Sequence, residues 1–261
     1  MTYRLLALCL AATSEAALAS PFLFSTGNTT NSIAVASRPA STGKIEIEAA
    51  DDFVLPMQTS IDSATFYGLL PSTAPGTATR VVAKVYRVYP QDSNVGRTPN
   101  VPTRSNSPSD VFFDSADSAN ATLDYSVSIL SGSFTVLNSV INGINAKPNQ
   151  TTGGEGAVGG AEARFDVSFA PPLVLPAGHY FFVAEVQATG GDFYWLSGTR
   201  PIVSPGTPFS PDLQAWIRNQ NLAPDWLRIG TDIVGGASPP TYNLAFELGG
   251  EDDRIFADGF E

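Results

Sequence analysis

The chain has 261 residues and a formal net charge of −11 at neutral pH, from 14 Lys and Arg against 25 Asp and Glu. That balance argues against nucleic acid as a partner, because replacing phosphate counterions takes Lys and Arg. Apolar residues make up 43% and charged residues 15%, with 23 Gly and 20 Pro to punctuate the chain, which favours a β-rich extracellular domain over a helical one.

Residues 1–19 have the three-part layout of a secretory signal peptide. Arg4 is the basic residue near the start, Leu5 to Thr13 is apolar and uncharged, and Ala17-Leu18-Ala19 offers the small-x-small pattern a signal peptidase accepts. The stretch falls short of the ~20 apolar residues an anchor needs, so no membrane span is expected in the mature chain. The expected location is secreted or cell-surface. Cys9, the single cysteine, follows Leu8 within the apolar stretch; a lipid-attachment site needs a small residue there. Cleavage after Ala19 leaves a thiol-free chain, without disulfides or thiolate metal sites. The remaining residues, about 240, are enough to bury a core.

Residues 20–43 read as a low-complexity leader rich in Ser, Thr, Asn and Ala, or as a first edge strand, with Phe22, Leu23 and Phe24 pointing to partial docking. From there to residue 249, strand signals recur. KIEIEA alternates Ile45 and Ile47 against Lys44, Glu46 and Glu48, SATFYGLL carries Phe66 and Tyr67, and TRVVAKVYRVY stops at Pro90. LDYSVSI puts Leu123, Tyr125, Val127 and Ile129 on one face; ARFDVSF does the same with Phe165, Val167 and Phe169, and YNLAFEL with Tyr242, Leu244, Phe246 and Leu248. Such period-two alternation marks half-buried strands. GHYFFVAEV is apolar on both faces and reads as central. Two turn-rich connectors, near 90–110 and 147–161, read as surface loops, and neither has the Lys-Ser/Thr of a phosphate loop. SFTVLNSVINGI fits a short helix or a strand. Many strands without alternating helices predict an all-β antiparallel β-sandwich spanning 44–249, jelly-roll-like first and immunoglobulin-like second.

His179 is the single histidine, and it starts a strong strand as an edge residue. No serine stands in a G-x-S-x-G elbow, so a triad hydrolase is not expected. One His without Cys is a poor zinc donor set. Carboxylates are the remaining route: Asp51, Asp52, Asp110, Asp114, Asp117, Asp124, Glu155, Glu162, Asp192 and Asp212 are the notable acids. A glycosidase would need two of them facing across a cleft. Asp110, Asp114 and Asp117, read as one loop, are a candidate calcium site built of hard oxygen ligands; no other cofactor is indicated. All three Trp fall in the last third. Tyr194, Trp195, Trp216 and Trp226 are the candidate glycan platform, since exposed rings offer flat apolar surface to a sugar. Trp195 is the expected exposed member because Tyr194 flanks it.

The segments EAADDFVLPMQTSIDSATFYG, LPAGHYFFVAEV, DFYWLSG, AWIRN, DWLRIGTDIVGG and YNLAFEL together resemble a group of exported bacterial sandwich domains. The resemblance covers most of the mature chain and implies the fold more than any reaction. Residues 250–261 form an acidic-aromatic tail ending DDRIFADGFE. It resembles a C-terminal tag of exported proteins from some Gram-negative bacteria, which implies sorting or processing through Ile255, Phe256, Asp258, Gly259, Phe260 and Glu261. The expected function is an exported, non-catalytic surface or extracellular interaction module. Its expected partners are a glycan or another surface protein, besides export and tail-processing machinery. A glycan-binding domain and a carbohydrate-active enzyme with a carboxylate pair are the alternatives.

Overall fold

A computed structural model describes residues 20–96, 104–141, 151–200 and 213–253. Residues 1–19, Asp212 and the tail residues Ile255, Phe256, Asp258, Gly259, Phe260 and Glu261 lie outside the described residues. The strands in chain order are β1 (Ser20–Ser25), β2 (Thr29–Ala36), β3 (Ile47–Leu55), β4 (Thr59–Leu70), β5 (Ala78–Val88), β6 (Pro108–Asp117) and β7 (Leu123–Val136). They continue with β8 (Ser139–Val140), β9 (Val158–Leu175), β10 (Gly178–Ala188), β11 (Tyr194–Gly198), β12 (Trp216–Asn219), β13 (Leu227–Arg228) and β14 (Phe246–Asp252). Among the described residues, no helix is long and apolar enough to cross a membrane.

Two sheets form an all-β sandwich. In the first, β4 is the hub: β14 and then β1 lie on one side, continued beyond by β11, β2 and β8, while β9 and then β7 lie on the other. The second runs β13-β12-β3-β10-β5-β6. The pairings are antiparallel apart from β2–β8. The core between the sheets follows from alternation. Phe66 of β4 stands opposite Phe165 of β9, and their rings stack at 4.8 Å with planes 6° apart. Phe193 meets both edge-on. Each such buried ring contributes about 1.5–3 kcal/mol of transfer free energy. β10 is central as its sequence implies, with Phe182 and Val186 facing this core and Phe181 and Val183 buried on the other face.

Three expectations change. Residues 20–43 are no leader: β1 pairs with β14 from Ser20↔Asp252 to Ser25↔Glu247, and β2 pairs with β11 and β8. Phe22 and Phe24 pack on the core while Leu23 points outward, 77% exposed. The alternation in SPFLFS was too short to stand out among Ser, Thr and Asn. The sandwich also runs past Gly249, because Gly250 to Asp252 continue β14 after a register shift at the Gly-Gly pair. Finally, the described part of the first connector is a surface loop only at its start: residues 90–96 are mostly exposed, while its end is covered. Arg104, Asn106, Ser107 and Ser109 are buried against the second sheet, with Arg104 stacked 4.5 Å over the Tyr89 ring.

Candidate functional site

The second sheet is unusual in being covered on its outer face as well. That face carries a small core of Ala50, Tyr86, Phe181, Val183, Leu213, Trp216 and Trp226. Beside it lies a cluster of charges. Alternation puts Glu48 of β3, Lys84 and Tyr86 of β5, Glu185 of β10 and Arg218 of β12 on this one face, with Arg218 directly opposite Glu48. Glu46, just before β3, joins them at the rim. Glu46, Glu48 and Glu185 bring one carboxylate oxygen each to within 4.8 Å of one another.

Lys84 occupies the middle. Its Nζ donates to Glu46 Oε1 at 2.7 Å and to Glu48 Oε1 at 2.9 Å, and lies 2.8 Å from Glu185 Oε2. The last contact has the distance of a hydrogen bond without its direction, leaving both Glu185 oxygens without a hydrogen bond. Arg218 Nε binds Glu48 Oε2, and its Nη2 donates to the Tyr86 hydroxyl at 2.7 Å. That hydroxyl in turn donates to Glu48 Oε1 at 2.5 Å. The Arg218 guanidinium lies 4.3 Å over the Trp226 ring, a desolvated cation on an aromatic face.

These surroundings drive the two buried glutamates apart. Burial acts to raise the Glu48 carboxyl, but the charges of Arg218 and Lys84 and the hydrogen bonds from Arg218 and Tyr86 together hold it below the usual range. Glu185 is fully buried; burial pushes it up to about 8, with Glu48 and Glu46 adding to the rise against the opposing charge of Lys84. Burial works to lower the Lys84 ammonium, yet Glu185 and Glu48 outweigh it and hold it well above the usual range. Burial and the neighbouring Glu48 also raise the Tyr86 phenol. With Glu185 neutral, two carboxylates face two cations and the cluster balances.

An acid with a raised pKa beside a base with a lowered one is the pattern of a general acid–base pair. Access decides against that use. The Glu185 and Glu48 side chains are 0% and 2% exposed, and only Glu46, at 34%, reaches solvent. A divalent cation would find the right three oxygens, but the Lys84 ammonium stands among them. The sequence reading missed this cluster. Glu46 and Glu48 read as a solvated face, and Glu185 was hidden in an apolar strand; a lone Glu inside GHYFFVAEV was the available signal.

The residues singled out from sequence are mostly spent elsewhere. Trp195 is in the inner core, its Nε1 donating to Ala245 O at 2.9 Å. Trp216 and Trp226 belong to the outer-face core, where Trp226 Nε1 donates to Ser109 O at 3.2 Å. All three rings are 1% exposed or less, so they form no glycan platform. Adjacent strand residues point to opposite faces, so an outward Tyr194 made Trp195 the buried one. Tyr194 itself is half-buried and lines a cleft of about 250 Å³ with Pro71 and Asp192.

The calcium triad also fails to converge. Asp110, Asp114 and Asp117 lie along strand β6, where the rise of about 3.3 Å per residue puts the outer two ~23 Å apart. Asp110 is paired with Arg104 and accepts from Asn94 N at 2.9 Å. Asp117 is paired with Arg80 and accepts from Ala119 N at 2.9 Å.

The Asp51-Asp52 pair has a structural role instead. Asp51 faces the inner core and accepts from Leu244 N at 2.8 Å, while Asp52, facing out, accepts from Leu213 N at 2.9 Å. Asp52 also meets His179 Nε2 at 2.5 Å. Neighbouring carboxylates on opposite faces of β3 thus pin two irregular segments to the strand. Comparisons with protein-family models, with characterised proteins and with solved structures return no match for this chain.

Proposed function

We propose that this chain is an exported β-sandwich that acts as a non-catalytic interaction module at the cell surface or outside the cell. The observation that carries the non-catalytic reading is the cation inside the carboxylate cluster. Lys84 and Arg218 neutralise the acids that could have formed a catalytic pair, and the sandwich buries them from substrate. The export reading rests on the signal-peptide pattern of residues 1–19. The first and last described strands pair with each other, so residues 1–19 and the tail after Asp253 join the sandwich at the same end.

The test uses purified, labelled mature chain added back to the cells that produce it. Saturable retention on the cell surface is the expected result. Retention that never saturates, or none at all, overturns the interaction reading. A parallel assay follows release of reducing ends from a polysaccharide panel. Release that is abolished by Glu48→Gln would overturn the non-catalytic reading.

Glycan binding is a second reading, now confined to the Tyr194 cleft. Its half-buried ring beside Asp192 has room for a single sugar unit, but Asp192 is already engaged by Arg38 at 3.1 Å and Lys44 at 2.7 Å.

A further inference from the structure

We draw no further inference here: the strongest candidate, the buried side-chain cluster of Glu46, Glu48 and Glu185 on the outer face of the second sheet, belongs to the site already described, with Lys84 filling the space among its carboxylates.

Discussion

Replacing Glu185 with Gln probes the buried cluster most sharply, because Gln copies the neutral form of the acid and cannot titrate. The folded-state pKa of Glu185, pushed up to about 8, lies above its ordinary value of 4.5. Between those values the folded chain holds a proton that the unfolded chain has lost. Stability from this group is therefore fully present below about pH 4.5 and is lost as pH rises through 8. The slope is at most ~1.4 kcal/mol for each pH unit. Over the three units from about pH 5 to 8 the loss is bounded at about 4 kcal/mol. The E185Q variant removes this slope. At pH 5 it should match the parent chain, and at pH 8 it should be more stable by about 2–4 kcal/mol. Urea unfolding followed by tryptophan fluorescence measures both, since Trp226 and Trp216 border the cluster. A stability difference that does not change with pH would refute the assignment of a neutral, buried Glu185.

Three further outcomes follow from the packing. Lys84→Met removes the cation shared by three carboxylates, and breaking a buried ion network this way should cost about 3–5 kcal/mol in urea unfolding. Its cost should grow with pH as Glu185 is forced to ionise without a partner. Asp51→Ala strips the acceptor from the buried Leu244 N–H, with an expected loss of about 1–3 kcal/mol; Asp51→Asn, which keeps an acceptor oxygen, should lose less. Phe165→Ala opens a cavity against Phe66 and Phe193 and should cost about 3–5 kcal/mol, read as a lowered thermal midpoint.

Local alternation made much of the architecture legible. Phe165, Val167 and Phe169 face the core as their spacing implies, and so do Leu244, Phe246 and Leu248. β10 is central because its sequence has no polar face. Alternation says nothing about which second layer covers a sheet, and that is where the reading failed. The outer face of the second sheet reads from KIEIEA as solvated, yet the chain around Arg104 and Trp226 folds over it and buries Glu48. The Trp residues look like a platform only if that cover is absent. The aspartates of β6 look like a loop cluster only until Val111 to Ala116 extend and draw them apart. Charge pairing over long sequence separations, such as Glu48 with Arg218, has no local signature at all.

The central claim is that the chain is delivered outside the cell and works there as a folded module. The most direct check is the intact mass and N-terminal sequence of the protein recovered from the surface and medium of producing cells. A chain beginning at Ser20, found outside the cytoplasm and binding saturably to the cell surface, is the predicted result. An uncleaved chain beginning at Met1 and confined to the cytoplasm would contradict the account.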